Sequence, residues 1–179
     1  MSKAPLIGFC GLARSGKDTA ANFLVAAIGG YRYAFADPIK QMIKPLGIDM
    51  SDPYWDEHKE DIIPALGVSP RRIIQTLGTD WGRSIIHPEL WIILAHQRLL
   101  RSGPGMVISD IRFEDEADWV RKHGGRVVHI TRAGCAAVED HVSEAGVDIL
   151  PEDLVISNNG SLEDLQAAVK ELFNGYSKA

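Results

Sequence analysis

The chain of 179 residues is 45% hydrophobic and 24% charged, which favours an ordinary soluble domain with a sizeable core and room for insertions. Its formal net charge of −5 argues against non-specific binding to nucleic acid. Two cysteines form neither a disulfide framework nor a zinc-binding spacing, and we find no apolar signal sequence or membrane-spanning run. We therefore expect a protein of the reducing cytoplasm.

An apolar strand predicted at 6–10 leads into the loop Gly11–Thr19 and then into a helical pattern. Strand, glycine loop, lysine and helix in this order are typical of a phosphate-binding loop. Gly11 and Gly16 let the backbone curl until consecutive N–H groups point at one anion, and the helix N-terminus adds partial positive charge. Lys17 supplies a full charge for the outer phosphates. The alternative, a glycine-rich turn with a solvated lysine, leaves this combination of features unexplained.

The position after the lysine departs from the usual pattern. Ser or Thr normally stands there as a magnesium ligand, whereas here Asp18 follows the lysine and Thr19 comes next. Because a carboxylate also binds magnesium or its water ligands, the sequence still predicts a nucleotide phosphate site with Mg²⁺.

Downstream of this loop, short apolar runs alternate with helical patterns. Further strands are predicted at 33–36, 106–109, 126–130 and 154–156. Helices are predicted to start at Asp37-Pro38, to run from Ser69-Pro70 to about Arg83, over 88–100 and from Phe113 to Val120, and to start again at Ser161. The helix at 88–100 is nearly all apolar and is expected to be buried. The spacing of Ser161 and Asp164 resembles a capping box. The stretch 47–70, with charges clustered at 56–61, indicates a surface excursion. This alternation predicts an α/β fold with a five-stranded parallel sheet.

Ligands of parallel α/β sheets bind beyond the carboxyl ends of the strands. This rule selects the residues that follow the predicted strands, namely Gly11–Thr19, Asp37, Asp110 to Arg112, Arg132 and Asn158. Asp110 acts as a base or a magnesium-linked carboxylate, or else it caps the next helix. Arg112 either clamps a phosphate bidentately or pairs with Glu116 one helical turn later.

Two residues near the second predicted strand have competing interpretations. Asp37 precedes a proline, so it is either a helix cap or a residue that contacts an acceptor substrate. Lys40 lies on the following turn, where it meets a phosphate or is solvated.

The segment between the second and third strands contains the run 78–83 together with Arg71 and Arg72. Glycines at both ends of a polar turn, with an aromatic residue between them, suit a small-molecule pocket that Arg83 would border. Trp81 in this run either stacks on a base or belongs to the core.

The segment 132–153 has the features of a lid. It begins with Arg132, carries several charges and contains two glycines but no good strand. Mobile lids exclude water and bring charge to the transferring phosphoryl group. We interpret His141 within it as a surface histidine and not as a catalytic residue.

With these residues in view, the chain resembles the deoxynucleoside monophosphate kinases of bacteriophages, within the P-loop nucleoside and nucleotide kinases. The resemblance rests on blocks at Gly11–Thr19, Phe35–Lys40, Gly78–Arg83, Ser109–Glu116 and His141–Glu144, which span nearly the whole chain in consistent order. The loop block with Asp18 is shared with dephospho-coenzyme A kinases and one type of phosphomevalonate kinase, so the conjunction of blocks is the more specific signal.

The resemblance implies a three-layer P-loop NTP hydrolase fold and a single kinase domain over 1–179, with a helical acceptor-binding segment at 38–102 and the lid-like segment at 132–153. It also implies transfer of the ATP γ-phosphate to a deoxynucleoside 5′-monophosphate (dNMP), with ATP and Mg²⁺ bound.

The same resemblance implies roles for individual residues. The ATP phosphates are assigned to Gly11, Arg14, Ser15, Gly16, Lys17, Asp18 and Thr19, and the adenine or lid side to Arg132 and Asn158. The acceptor is assigned to Asp37, Lys40, Arg72, Trp81 and Arg83. Catalysis is assigned to Lys17, Asp110, Arg112 and Arg132, and the metal to Asp18 and Asp110.

Two alternative functions remain open at this stage. One is a kinase of another small acceptor, in the manner of dephospho-coenzyme A kinases, and the other is a nucleotide-binding regulator without phosphoryl transfer. We expect small-molecule substrates and neither nucleic acid nor a membrane as partners, and the sequence leaves a homodimer open.

Overall fold

The computed structural model describes residues 5–101, 105–135 and 146–176. The chain divides into two compact units. One comprises Met1–Ala34 and Arg98–Ala179, and the other comprises Phe35–Gln97. None of the helices in the described ranges is long and apolar enough to cross a membrane.

The first unit contains a five-stranded parallel sheet, as predicted. The strands are β1 (Leu6–Cys10), β2 (Tyr31–Tyr33), β3 (Met106–Ile111), β4 (Arg126–Thr131) and β5 (Leu154–Ser157). Their order across the sheet is β2-β3-β1-β4-β5, so that β1 is central and its carboxyl end lies between those of β3 and β4. The loop that follows β1 therefore emerges at the middle of the ligand-binding edge.

Helices cover both faces of this sheet. Helices α1 (Lys17–Ile28) and α7 (Leu162–Tyr176) pack together on one face, and α6 (Glu114–Lys122) packs on β1 and β4. The core on the α1 and α7 side consists of Ile7, Phe9, Ala20, Ala21, Leu24, Val107, Val128, Ile130, Ile156, Leu165 and Val169. Burying each large aliphatic or aromatic side chain here stabilises the fold by about 1.5–3 kcal/mol. This arrangement gives the predicted three layers.

Two strands differ from the predicted bounds by two residues or more, while β4 and β5 each end one residue later than predicted. The second strand was expected at 33–36 but runs over Tyr31–Tyr33, because it pairs with β3 as soon as helix α1 has ended at the left-handed Gly29. The third strand continues past Ser109 to Ile111, which is buried and pairs with Cys10 after a register shift. Pairing partners that are distant in sequence set these limits, whereas local hydrophobicity set the predicted ones.

The second unit is helical. Its elements are α2 (Asp37–Ile43), a 3₁₀ turn (Lys44–Leu46), α3 (Pro53–Glu57), α4 (Pro70–Gln75), a π-helix (Thr76–Ile86) and α5 (Leu90–Arg101), whose last turn belongs to the first unit. Asp52 caps α3 and Ser69 caps α4 through side-chain oxygens that accept backbone N–H groups. Most residues between 49 and 68 are partly or fully exposed, which confirms the predicted surface excursion.

The π-helix corrects the prediction for residues 69–83. An α-helix to Arg83, with a polar turn within it, was expected, but the α-helix ends at Gln75 and wider π-helical turns follow. Trp91 Nε1 donates a hydrogen bond to the Gly78 carbonyl at 2.7 Å, and a Cβ at Gly82 would overlap the Trp91 ring. Both glycines therefore lie in a helix, and the absence of a side chain at Gly82 lets the Trp91 ring approach the helix backbone.

Helix α5 is also less buried than its apolar composition predicted. Trp91, Ile92 and Ala95 are buried, but Ile93 and Leu100 are 39% and 73% exposed. The expectation of a helix buried on all sides is therefore wrong, and α5 buries one face.

At the start of α7 the predicted capping box is confirmed, since Ser161 N donates to Asp164 Oδ2 at 2.8 Å and Asp164 N donates to Ser161 Oγ at 3.2 Å.

Candidate active site

The loop after β1 has the backbone conformation of an anion-binding turn. Gly11 and Gly16 have φ values of 136° and 103°, and Arg14, at 64°, is the one non-glycine residue with positive φ in the part of the chain that the structure describes. Ser15 N donates to the Leu12 carbonyl at 3.2 Å, which closes the turn. Helix α1 then begins without a side-chain cap at Gly16, so its first N–H groups are available to a ligand.

The two glycines are also required by close packing. A Cβ at Gly11 would overlap the carbonyl oxygen of Ile130, and one at Gly16 would overlap the Asn158 side-chain amide. Asn158 Nδ2 donates to the Ser15 carbonyl at 2.8 Å, while Asn158 N donates to the Thr131 carbonyl at 2.7 Å. Asn158 is buried and links β4 to the loop. The sequence selected this residue by its place after a strand but did not predict that it supports the loop.

Two side chains of the loop are oriented for an anionic ligand. Lys17 Nζ donates to the Leu12 carbonyl at 2.7 Å, which folds its ammonium group over the loop. Ser15 is 1% exposed, and its hydroxyl has no hydrogen-bond partner within the described ranges. Leaving a buried hydroxyl unsatisfied costs about 1–3 kcal/mol, which a phosphate oxygen would recover. The uncapped helix and the unsatisfied hydroxyl together fit a bound polyphosphate.

A pocket forms over this loop. It is lined by Gly11, Leu12, Ala13, Lys17, Ile111, Arg112, Gly146 and Val147. Two predicted catalytic residues, Lys17 and Arg112, therefore border one pocket. Glu116 is buried, and its Oε2 accepts hydrogen bonds from the backbone N–H groups of Arg112 at 2.9 Å and Phe113 at 3.2 Å. These bonds fix the turn that carries Arg112.

Asp18, the predicted magnesium ligand, has a cationic neighbour that the sequence did not reveal. Its Oδ1 lies 3.0 Å from Arg32 Nη2, and its side chain is 68% exposed. Arg32 also donates from Nε to Ser109 Oγ at 3.1 Å and from Nη1 to Asn22 Oδ1 at 3.4 Å. The guanidinium thus connects β2 and β3 to the first turns of α1, and Asp18 remains accessible from solvent.

The other residues predicted for the first unit are more scattered. Asp110 does not follow β3 but lies within it, next to the last residue, and it is half-buried. Arg132 follows β4 directly and is exposed. Thr19 is half-buried in the first turn of α1, and Arg14 is exposed at the tip of the loop. The predicted lid is described at 132–135 and 146–153, whereas His141 lies outside the described residues.

The predicted acceptor residues lie in the second unit. Asp37 is the first residue of α2, but the cap position is Ala36, so the interpretation of Asp37 as a cap is wrong. Lys40 and Trp81 are half-buried, and Arg72 is exposed on α4. Arg83 donates from Nη1 to the Pro88 carbonyl at 3.3 Å. Their role in acceptor binding stays a prediction.

A buried polar cluster lies behind the loop and was not predicted at all. His129 contacts Cys10 Sγ through Nδ1 at 3.1 Å and Asp153 Oδ2 through Nε2 at 3.1 Å. Arg121 donates to both oxygens of Asp153, at 3.1 and 2.7 Å. No spacing pattern could have revealed the cluster, because its members are far apart in sequence.

Ionisation in this cluster follows from its burial. Burial raises the pKa of the Cys10 thiol to about 12, and the charge of Asp153 adds to the effect, so Cys10 is a thiol and not a nucleophilic thiolate at neutral pH. Burial by itself would raise the pKa of Asp153, but hydrogen bonds from Arg121, the Leu150 amide and His129 outweigh it and hold that pKa below its usual value.

Comparison with known proteins identifies the family to which these features belong. The sequence model of a family described as deoxynucleotide monophosphate kinase matches residues 5–53 and 55–169. The chain belongs to this family. The resemblance to phage-type kinases is thereby confirmed, and the chain is a nucleotide kinase of the ATP-using P-loop group.

Individual relatives from viruses support this membership. A provisionally named deoxynucleotide monophosphate kinase of Acanthamoeba polyphaga mimivirus is 31% identical over 184 residues, which cover 92% of this chain and 93% of the relative. The deoxynucleotide monophosphate kinase of Enterobacteria phage T4 is 36% identical over 106 residues, covering 57% of this chain and 44% of the phage protein. That of Escherichia phage RB69 is 29% identical over 155 residues, covering 84% and 57%.

Solved structures confirm the predicted fold. Shikimate kinase from Aquifex aeolicus superimposes with a TM-score of 0.54 at 13% identity, covering 96% of this chain and 98% of that protein. TT1252 from Thermus thermophilus superimposes with a TM-score of 0.51 at 20% identity, covering 97% and 98%. At such low identity the likeness concerns the fold alone.

Proposed function

We propose that the chain transfers the γ-phosphate of ATP to a deoxynucleoside 5′-monophosphate, giving the diphosphate and ADP. The observation that carries this proposal is the pocket where the phosphate loop, Lys17 and Arg112 meet, in a chain whose family match extends over 5–169. An oxygen of the acceptor phosphate attacks the γ-phosphorus, and the bond from that phosphorus to the β–γ bridging oxygen breaks as ADP leaves.

The chemical difficulty is electrostatic, because two polyanions must approach each other. The acceptor phosphate is already ionised and needs little deprotonation. The loop N–H groups and the start of α1 hold the donor phosphates, and Lys17 neutralises the outer ones. Arg112 places a second cation at the same pocket, where it stabilises charge that develops on the transferring group.

Magnesium prefers oxygen ligands, and Asp18 and Asp110 are the carboxylates proposed for it here. The accessible carboxylate of Asp18, assisted by Asp110, would hold the ion, which when bound shields the charge of the phosphate oxygens. Arg32 would keep Asp18 oriented, since it already pairs with this carboxylate at 3.0 Å.

Acceptor recognition is assigned to the residues that carry the family resemblance in the second unit. The proposed set is Asp37, Lys40, Arg72, Trp81 and Arg83. Its cations suit a phosphate and its half-buried indole suits a base. Arg132, exposed directly after β4, is proposed to bring further positive charge to the transferring phosphoryl group.

A phosphoryl-transfer screen tests the proposal. ADP formation from ATP is measured with the four dNMPs, the four ribonucleoside monophosphates and dephospho-coenzyme A as acceptors, and we expect turnover with at least one dNMP. Turnover with dephospho-coenzyme A alone would identify a kinase of another acceptor. Slow ATP hydrolysis that no acceptor stimulates would instead indicate a regulator.

The Lys17→Ala variant tests the role of the loop in the same assay. We expect kcat to fall by roughly 10²–10³-fold or more, because a preorganised charge on the transferring phosphate is lost. The matched control is Lys122→Ala. The Lys122 side chain is 75% exposed on α6, and its ion pair with Asp118 is long, at 3.8 Å. Both variants should keep the wild-type circular dichroism spectrum, and wild-type turnover in Lys17→Ala would refute the proposed site.

A further inference from the structure

One part of the phosphate-pocket wall has no regular structure of its own. Gly146 and Val147 line the pocket with Lys17 and Arg112, and they begin a segment, 146–153, that contains turns but neither helix nor strand. Backbone without helix or sheet bonds must be held by side chains if it is to keep one conformation. We call this stretch the wall segment.

Helix α6 supplies two of the anchors for the wall segment. The Asp148 N–H donates to Glu114 Oε1, and Arg121 Nη2 donates to the Asp148 carbonyl at 3.4 Å. Both backbone groups of the residue next to the pocket lining are therefore bound by side chains of α6.

Asp153 supplies the third anchor. Its Oδ2 accepts a hydrogen bond from the Leu150 amide at 3.0 Å, which closes the end of the wall segment on itself. The same carboxylate accepts two hydrogen bonds from Arg121, at 3.1 and 2.7 Å, and its side chain is 1% exposed against 11% for Arg121. A buried ion pair with two parallel hydrogen bonds has a defined geometry.

The other end of this cluster reaches the phosphate loop itself. His129 lies between Asp153 and Cys10, at 3.1 Å from each. Cys10 is the last residue of β1, and Gly11, the first residue of the loop, follows it directly. One connected set of side chains therefore joins both sides of the pocket.

We infer that Asp153 and Arg121 are positioning residues, which hold Gly146 and Val147 at the distance from the phosphate loop that ATP binding requires. The part of this inference that concerns ATP rests on the proposed function. It also means that the end of the predicted lid at 148–153 is anchored to α6, so that it serves as a fixed wall.

The chain provides a matched control for this inference. Asp118 also contacts Arg121, at 3.1 Å, but it is 48% exposed, and its described contacts are with Arg121 and Lys122 and not with the wall segment. Asp118→Asn removes an ion pair from the same guanidinium without releasing the wall. Glu114→Gln removes the charge that binds the Asp148 amide and that lies 3.6 Å from Arg121 Nη1, while both members of the Arg121–Asp153 pair are kept.

The experiment compares Asp153→Asn, Glu114→Gln and Asp118→Asn with the wild type by two readouts. Amide hydrogen exchange is followed in peptides that cover 146–153, and the dissociation constant of ATP is measured by calorimetry without acceptor. For Asp153→Asn we expect at least roughly tenfold faster exchange and roughly tenfold weaker ATP binding, because small displacements of a binding wall have large effects. Glu114→Gln should change both values in the same direction by less, and Asp118→Asn should change neither by more than about twofold.

Two results would overturn the inference. Unchanged exchange in Asp153→Asn and Glu114→Gln would show that these side chains do not hold the wall. If Asp153→Asn and Glu114→Gln exchange faster but bind ATP as tightly as Asp118→Asn does, the position of the wall segment does not determine ATP affinity. If Asp153→Asn does not fold, Glu114→Gln and Asp118→Asn still decide between these results.

Kinetics with the best dNMP from the acceptor screen add a further distinction. We expect KM for ATP to rise in Asp153→Asn while KM for the dNMP changes by less than about twofold, since a general loss of structure would affect both. Calorimetry measures ATP binding without an acceptor, so the inference about the wall segment can be tested independently of the acceptor. A wild-type protein that binds ATP but phosphorylates no dNMP would refute the proposed function and leave the inference about the wall segment open to its own test.

Discussion

Single residues of the phosphate loop are constrained by both backbone conformation and space. Gly16 combines a φ of 103° with contact to the Asn158 amide, so any side chain there is both strained and obstructed. Gly29, at the other end of the same helix, has a φ of 67° but nothing within 4 Å of an added Cβ. A substitution at Gly29 therefore measures the energetic cost of the left-handed backbone alone, whereas one at Gly16 adds the cost of a steric clash.

This difference leads to a prediction. Gly29→Ala should lower the free energy of unfolding by about 1–2 kcal/mol, the cost of a left-handed residue with a Cβ, and leave ATP binding unchanged. Gly16→Ala should cost more and should abolish ATP binding, because Asn158 must move away from the loop that it supports. Urea denaturation and calorimetry measure the two effects, and equal losses of stability with intact ATP binding would contradict the packing argument.

At the scale of elements, the π-helix Thr76–Ile86 is the feature that local sequence rules described least well. Its start continues α4, and its carbonyl at Gly78 accepts the indole hydrogen bond of Trp91. Gly82 is buried against the same ring. The tryptophan thus binds the π-helix through both a hydrogen bond and close packing, which gives the second unit a specific internal contact.

We predict that Gly82→Ala destabilises the protein by about 1–3 kcal/mol, because an added methyl group must displace the Trp91 ring or the helix. Asp80→Ala is the control, since Asp80 is exposed in the same π-helix. Thermal unfolding monitored by tryptophan fluorescence would show the difference, and equal melting temperatures for the two variants would argue against the contact.

At the scale of the whole molecule, the cluster around Asp153 couples stability to pH. The pKa of Asp153 in the folded protein lies below its ordinary value of 3.8, so folding favours the ionised form. Its contribution to stability is complete above pH 3.8 and is lost as the pH falls through the lower, folded-state pKa. Asp164 shifts in the same direction but is exposed at the start of α7, so its effect is screened.

We therefore expect the free energy of unfolding of the wild type to decrease as the pH falls below about 4, and the decrease to be smaller in Asp153→Asn. Urea denaturation at a series of pH values between about 2.5 and 6 measures both slopes. Asp118→Asn should retain the wild-type slope, since the Asp118 side chain is 48% exposed, whereas that of Asp153 is 1% exposed. Parallel curves for the wild type and Asp153→Asn would exclude Asp153 as the group responsible.

The sequence by itself determined the features that depend on neighbouring residues. Glycine spacing, Lys17 and the strand before them are sufficient for the phosphate loop, because its anion-binding N–H groups come from consecutive residues. Alternating apolar runs and helices are sufficient for the parallel sheet, and the combination of motif blocks identified the family.

Tertiary structure alone decided the contacts between residues that are distant along the chain. Arg32 and Ser109 are 77 positions apart, and Asn158 and the Ser15 carbonyl are 143 apart. The limits of β2 and the close contact between Trp91 and Gly82 were decided in the same way. Hydrogen bonds, ion pairs and packing depend on distance in space, and in a parallel sheet the strands that meet at one edge are separated by whole helices.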